Sequence, residues 1–340
     1  MTTFSVLTPL DFGRRPHSLF ERVRKLAIAL HEADIQLVIG HAARGGPFDD
    51  RLHHELGGMR NVRIASEPAG LNASNLSRLR NNAAALADGD IILLLDADIF
   101  PDIPLFRALA AQVRENRPMV VAPCLYLSSE GTARIEKGED KAFFIESALA
   151  FQPDWVLHWA IPSSVIALPR ADYHAIGGFC EEYEGYGYED FDFMLRLAFE
   201  KGVLQADASL LFDRPYRAPL LSQGFRAALG QLCMSTLMDD LIAIHLFHEK
   251  DQDEDYYRSR TDNGELFRNR FAWLSSQESG KRSMPPVLTA FYEECARRDE
   301  DPLRYQALFD GRPRYLLKRR PYASRLWRQF RRHASRAFAR

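Results

Sequence analysis

The chain has 340 residues, which suits one large domain with an appended piece. Hydrophobic residues make up 46%, so a sizeable core is available and general disorder is excluded. A formal net charge of −2 points to no polyanionic partner such as nucleic acid, but it conceals an asymmetry: positions 312–340 hold eleven Lys or Arg and no Asp or Glu, against 33 basic and 46 acidic residues before them.

Phe4 to Leu7 is a short β-prone run before Pro9 and reads as a first strand. Leu19 to Ala33 carries Leu19, Val23, Leu26, Ala27 and Leu30 at helical spacing, which predicts a helix. Ile35 to Ile39 and Asn61 to Ala65 read as the next strands, and Ser74 to Ala87 as a helix stopped by Gly89-Asp90. Ile91 to Leu95 is apolar throughout, the pattern of a central parallel strand buried on both faces. Leu105 to Glu115 predicts a helix, Met119 to Ala122 a strand, Ser128 to Lys141 a polar loop and Val165 to Leu168 a further strand. Asp190 to Lys201 and Gln223 to Asp240 each predict a helix, Leu241 to Leu246 a strand, and mixed helices follow to about Phe309. Strands alternating with helices imply an α/β, mostly parallel, doubly wound sheet, whose ligands bind beyond the carboxyl ends of the strands. Asp96 and Asp98 fall at such an end.

The segment IILLLDADIFPD runs an apolar strand straight into Asp-x-Asp. Two carboxylates at that spacing can surround one hard divalent cation, and the cation offsets the repulsion between them and a diphosphate. A solvated acidic turn is the plainer reading. A phosphatase-type nucleophile is disfavoured, because that motif usually continues with Gly-Thr near the N-terminus and here Ile99-Phe100 follows. The second segment is AIGGFCEEYEGYGYEDFDFMLRL. Gly177-Gly178 makes a tight turn, and Gly185 and Gly187 make a loop in which backbone can approach a ligand. Glu189-Asp190 stands at a helix start, with Asp192 in the first turn. Acidic residues favour a helix N-terminus on electrostatic grounds alone, but that does not explain the glycines and aromatics before them. A carboxylate there can take the proton of an acceptor hydroxyl.

In this order the two segments resemble the inverting glycosyltransferases of the GT-A fold, family 2 type. Bacterial capsule and surface-polysaccharide transferases, with chondroitin-polymerase-like and galactosyltransferase-like domains, are the relatives in view, over roughly residues 4 to 270. The resemblance implies a Rossmann-like, mostly parallel sheet flanked by helices over 1–250; a helical extension over 251–311 and a basic amphipathic tail over 312–340 complete the expected organisation. It implies that Asp96 and Asp98 hold a metal and the donor diphosphate, that Asp190 is the catalytic base, and that Glu189 beside it meets the acceptor. Gly177 and Gly178 would floor the acceptor pocket, and Tyr186 and Tyr188 would stack on sugar rings. Arg80 and Asn81 match donor-contacting positions ahead of the metal-binding strand, with an ordinary polar helix face as the rival reading. The second strand ends in Gly40-His41 where relatives usually carry an acidic residue for the nucleotide base. Asp11 after the first strand, or Asp49 and Asp50 later, are the substitutes, and Pro9 stands with Asp11 as a donor-binding candidate.

In IAIHLFHEKD a histidine after a late strand completes the metal site by the same resemblance, with His245 and His248 as candidates. Residues three apart on a strand face opposite sides, so only one, preferably His245, is expected to bind unless the strand ends between them. Imidazole with carboxylates suits Mn²⁺ at least as well as Mg²⁺. The implied partners are a nucleotide-sugar donor, uridine first, and a glycan or lipid-linked glycan acceptor. Sugar-phosphate nucleotidyl transfer and a non-catalytic carbohydrate-binding role are the rival readings.

Cys124, Cys180, Cys233 and Cys295 form no CxxC pair, so no disulfide framework or zinc site is expected and a reducing, cytoplasmic compartment fits. No apolar run approaches the roughly 20 residues that span a bilayer. After Pro321 the tail sets Leu326, Trp327, Phe330, Ala334, Ala337 and Phe338 at helical spacing among arginines. That pattern suits peripheral contact with an anionic membrane face; docking on the acidic body of the chain or on a partner is the first alternative, and nucleic-acid binding, which nothing else in the sequence supports, is the second.

Overall fold

The computed structural model describes residues 4–69, 75–115, 117–150, 154–214, 218–249, 259–278 and 284–310. The basic tail 312–340 lies outside them, and its expected amphipathic helix with it. The first half alternates as expected: β1 (Phe4–Asp11), α1 (Pro16–Glu32), β2 (Gln36–Ala43), α2 (Pro47–Glu55), β3 (Val62–Pro68), α3 (Leu76–Ala85), β4 (Ile91–Leu94) and α4 (Ile103–Arg114). Then come β5 (Val120–Val121), β6 (Cys124–Leu127), α5 (Ser129–Ile135), α6 (Lys141–Leu149), β7 (Val156–Ala160), β8 (Ile166–Pro169), α7 (Arg170–Ala175) and α8 (Glu189–Glu200). The remainder holds β9 (Asp213–Arg214), β10 (Gln223–Gly224), α9 (Phe225–Gly230), α10 (Met234–Met238), β11 (Ala243–His245), α11 (Arg260–Arg270) and α12 (Pro286–Arg298).

Six strands form one sheet in the order β3-β2-β1-β4-β8-β5. β1 to β4 pair in parallel, whereas β8 runs antiparallel to both of its neighbours, so the sheet is mixed. β4 is buried along its whole length, and its alternate side chains feed two cores. Ile92 and Leu94 join Leu7, Ile166 and Phe193 on one face; Ile91 and Leu93 join Val6, Phe20 and Leu26 on the other. This two-sided burial is what an uninterrupted apolar strand requires. A second sheet, β11-β6-β7, pairs β11 and β6 in parallel and β6 and β7 antiparallel.

Two expectations are corrected. The stretch 128–141, expected as a loop, contains α5. Ser128 caps it by accepting the Gly131 N–H at 3.0 Å, and Gly131 packs so closely on the Trp155 carbonyl that a Cβ would lie 2.2 Å from its oxygen. The long helix expected over 223–240 is broken instead. Gly224, at φ 67°, turns the chain out of β10, and Gln231–Cys233 tighten to a 3₁₀ turn between α9 and α10. This segment buries residues on more than one side, including Phe225, Leu229, Cys233, Met234 and Leu237, so its periodicity reports burial and not a single helix. In the helical C-terminal region, α12 buries Val287, Phe291 and Cys295 in the same core as Phe225 and Met234. Among the described residues no helix is long and apolar enough to cross a membrane.

Candidate active site

β4 delivers Asp96 and Asp98 into a tight turn in which the Ile99 N–H donates to the Asp96 carbonyl at 3.0 Å. The two side chains then diverge. Asp98 accepts a forked pair from Arg15, Nη1 to Oδ1 at 3.3 Å and Nη2 to Oδ2 at 3.0 Å, and a further bond from Arg22. Burial works to raise the Asp98 carboxyl. The hydrogen bond from Arg15, with the charges of His245, Arg15 and Arg22, outweighs it and holds the group well below the usual carboxylate range.

β11 ends at His245, and the Leu246 N–H turns back to the Asp98 carbonyl at 2.8 Å. The Phe247 N–H is caught by Thr132 Oγ1 at 2.7 Å. The chain therefore leaves strand geometry between the two histidines, and His248 comes round to the same side as His245. One carboxylate oxygen of Asp98 and one ring nitrogen from each histidine lie within 4.8 Å of one another. The strand thus ends between the two histidines, the condition under which both can face one site. An oxygen with two imidazole nitrogens is a donor set that fits Mn²⁺.

Asp96 turns away from that cluster. Its Oδ1 accepts from Arg80 Nη2 at 3.0 Å and its Oδ2 from Ser164 Oγ at 3.0 Å. Arg80 is only 3% exposed and reaches three carboxylates: besides Asp96, Nη1 is 3.6 Å from Glu189 and Nη2 is 3.5 Å from Asp190. Glu189 and Asp190 open α8 after Tyr188, which sits in left-handed backbone at φ 75°. Burial raises the Asp190 carboxyl; Arg80 opposes it, and the charges of Glu189 and Asp96 reinforce it. Glu189 is raised in the same way, by burial first. Glu189 Oε2 is buried with no hydrogen-bond partner among the described residues.

Two cavities meet at these carboxylates. The smaller, about 140 Å³, is lined by Pro9, Asp11, Arg14, Arg15, Arg80, Asp98, His245 and His248. The larger, about 330 Å³, is lined by His158, Trp159, Ser164, Tyr188, Arg226 and Arg260. Asp96, Tyr126, Tyr186, Glu189 and Asp190 line both.

The remaining predicted residues lie partly on the cavity walls and partly away from them. The Asn81 amide is engaged by a turn: it donates to the Phe179 carbonyl at 3.0 Å and to Glu181 at 2.7 Å, and it accepts from the Tyr173 hydroxyl and the Phe179 N–H. Gly177 and Gly178, both at positive φ, shape that turn, and a Cβ on Gly178 would lie 2.5 Å from Asn81 Oδ1. These three residues thus lock α3 to the loop ahead of α8. Tyr188 lines the larger cavity while its ring packs with Phe225 and Phe267 and its hydroxyl donates to Asp213. Asp11 accepts from Arg44 and from the Gly13 N–H. Asp49 caps α2 through the Gly46 and Arg44 N–H groups and binds His41.

Sequence reasoning missed Arg15, Arg22, Tyr126, His158, Ser164 and Arg260. The one local signal was the Arg14-Arg15 pair just past β1, at the carboxyl edge where ligands bind.

Residues 5–272 match the family described as glycosyltransferase like family 2. No curated protein matches the chain. Among solved structures, TarS 1–349 of S. aureus is similar at 12% identity, over 87% of this chain and 72% of that one, with a TM-score of 0.41. Glucosyl-3-phosphoglycerate synthase of Mycobacterium tuberculosis, in complex with Mn²⁺ and UDP-glucose, is 17% identical over 59% of this chain and 66% of that one, with a TM-score of 0.37. The catalytic domain of Drosophila β1,4-galactosyltransferase 7, in complex with xylobiose, is 14% identical over 60% and 63%, with a TM-score of 0.32.

Proposed function

The chain belongs to glycosyltransferase like family 2, a family of GT-A glycosyltransferases, and on that footing we propose that it is an inverting, metal-dependent enzyme of capsule or surface-polysaccharide synthesis. It moves a hexosyl or N-acetylhexosaminyl group from a nucleotide diphosphate, UDP first, to a hydroxyl of a glycan or lipid-linked glycan. The meeting of two cavities at Asp96, Glu189 and Asp190 carries this reading. The smaller one, with Asp98, His245 and His248, suits the donor; the larger one, with Trp159 and Tyr186, suits a sugar acceptor.

Asp98, His245 and His248 would hold Mn²⁺ or Mg²⁺, with Asp96 beside them facing the donor sugar. A divalent ion bound there supplies positive charge that stabilises the departing nucleoside diphosphate. Asp190 takes the proton of the acceptor hydroxyl. The acceptor oxygen forms a bond to the anomeric carbon as the bond to the diphosphate oxygen breaks, and the electron pair leaves with the diphosphate. Attack from the opposite face inverts the configuration. Arg80 keeps Asp190 in reach of that proton by tying it to Asp96.

We assign catalysis to 1–250, cover of the acceptor side through Arg260 to 251–311, and contact with the inner membrane face to 312–340. Nucleotidyl transfer and a non-catalytic role are disfavoured by the family and by the presence of Asp98, Asp190 and Arg80 together. Nucleoside diphosphate release from a panel of sugar nucleotides, with and without Mn²⁺, tests the proposal. Folded protein that releases none from any donor, with acceptor glycans present, overturns it.

A further inference from the structure

We propose that Arg15 is a ligand for the donor diphosphate that Asp98 holds in reserve: it pairs with this carboxylate until a divalent ion takes its place, then turns to the phosphates. The inference rests on the metal site proposed above, and it begins from an excess of positive groups on one carboxylate. Both oxygens of Asp98 already accept from Arg15, at 3.3 and 3.0 Å, and Oδ1 also accepts from Arg22. A cation held by Asp98, His245 and His248 needs one of those oxygens, and its charge repels any guanidinium left on the other. One arginine must therefore give way.

The surroundings decide which. Arg22 lies on the second turn of α1 with its side chain 12% exposed, and its second guanidinium nitrogen is anchored by the Phe247 carbonyl. The Arg15 side chain is 25% exposed, and among the described residues its two hydrogen bonds both end on Asp98. Arg15 also sits ahead of α1 in left-handed backbone, φ 47° and ψ 45°, outside the helix that fixes Arg22. Arg15 is the group free to leave.

Its destination is local. Arg15 lines the 140 Å³ cavity with Asp98, His245 and His248, which is where a metal-bound diphosphate would lie. Arg80, in the same cavity, is fixed among three carboxylates and cannot turn to phosphate without exposing them to one another. A guanidinium released from a carboxylate fork offers the same paired donors to phosphate oxygens. Metal binding alone thus breaks the Arg15–Asp98 pair without replacement, whereas metal and nucleotide together exchange it for an Arg15–phosphate pair. Part of the cooperativity between the two ligands then passes through Arg15, and linkage makes it reciprocal.

Substitution should move the two affinities in opposite directions, which a merely structural role would not do. The experiment uses the full chain, with free Mn²⁺ counted by electron paramagnetic resonance and UDP binding measured by calorimetry. Arg15→Gln is expected to tighten Mn²⁺ about threefold or more without nucleotide, and to weaken UDP about tenfold at saturating Mn²⁺. Arg15→Lys, which keeps the charge and loses the fork, should fall between. If both variants are folded and Mn²⁺ binding is unchanged or weaker, or UDP binding is unchanged, the inference is overturned. His245→Ala separates this from the underlying reading: if it leaves Mn²⁺ affinity intact, the metal site itself is wrong. If it abolishes Mn²⁺ binding while Arg15→Gln does nothing, the site stands and Arg15 is only a structural neighbour.

Discussion

Tyr126 lies flat against His245, with ring centroids 4.0 Å apart and planes at 15°. Strand register is the cause: β6 sets Tyr126 opposite His245 on one side and His158 on the other, where a second stack forms at 4.4 Å. Three rings therefore cross the small sheet, from the larger cavity to the Asp98 cluster. Burial pushes the His245 pKa down, which keeps the imidazole neutral and its ring nitrogen open to a cation.

Tyr126 should accordingly act as a positioning residue for the metal site. Tyr126→Phe keeps the stack and should bind Mn²⁺ like the wild type. Tyr126→Ala frees the His245 ring and should weaken Mn²⁺ about tenfold, in the range seen when the groups that orient a metal ligand are removed. A Mn²⁺ titration of the two variants decides it, and equal affinity in both would show that the stack does not orient His245.

Asp190→Asn should lower kcat by about 10²- to 10⁴-fold while UDP affinity stays within about twofold, because the lost group acts on the acceptor proton. The pH profile carries a second test. The Asp190 pKa is raised, by burial first and by the charges of Glu189 and Asp96, and the carboxylate is the form that accepts a proton. Activity should therefore rise with pH along an acidic limb lying well above ordinary aspartate titration. Glu189→Gln removes one of the charges that raise Asp190, so in that variant the limb should move to lower pH. A limb that stays in place, or moves upward, would exclude Asp190 as the titrating base.

Legibility in the sequence followed the range of the interactions. Ile91 to Leu95 and the aspartates after it were readable because strand burial and the strand-end position are written in consecutive residues. Glu189 and Asp190 were readable for the same reason, at the start of α8. The ring stack was not, because it depends on register among Tyr126, His158 and His245, and no short window contains all three. The partners of Asn81 were not readable, because Phe179 and Glu181 lie about a hundred residues away and meet it only when the Gly177-Gly178 turn reaches α3. Whether both histidines could face one ion turned on where β11 ends, which the strand pattern alone does not give. Arg15 and Arg22 lie about eighty residues before Asp98, and only the fold brings it to them.

The glycine turn makes a graded prediction about stability. Gly177 is at φ 76° with open space where a Cβ would sit, so Gly177→Ala costs only the left-handed backbone, about 1–2 kcal/mol. Gly178, at φ 68°, adds steric conflict with Asn81 at 2.5 Å and Tyr173 at 3.0 Å. Gly178→Ala should therefore be the more damaging by a margin resolved in chemical denaturation. Both should leave Mn²⁺ affinity intact if the turn is structural; a selective loss of acceptor binding in Gly177→Ala would restore its expected place in the acceptor pocket.

Arg80 offers the sharpest separation of fold from chemistry. Its guanidinium is the shared counter-charge of Asp96, Glu189 and Asp190. Arg80→Met keeps much of the bulk over the Phe179 ring but leaves the carboxylates facing one another, so it should destabilise the protein by about 3 kcal/mol at neutral pH. That figure is the low end for a broken buried pair, because Asp96 and Asp190 are partly open to water. The pH dependence follows from the sign of the shifts. Without Arg80 the pKa values of Glu189 and Asp190, already raised by burial, rise further, so the folded state holds protons that the unfolded chain has released. Stability must then fall as pH rises through those values, and the deficit relative to wild type should be larger at pH 8 than at pH 5.5. Thermal unfolding of both proteins at the two pH values measures it. A deficit independent of pH would mean that Arg80 acts by packing on Phe179, and its proposed role in holding Asp190 ready for the acceptor proton would fall with it.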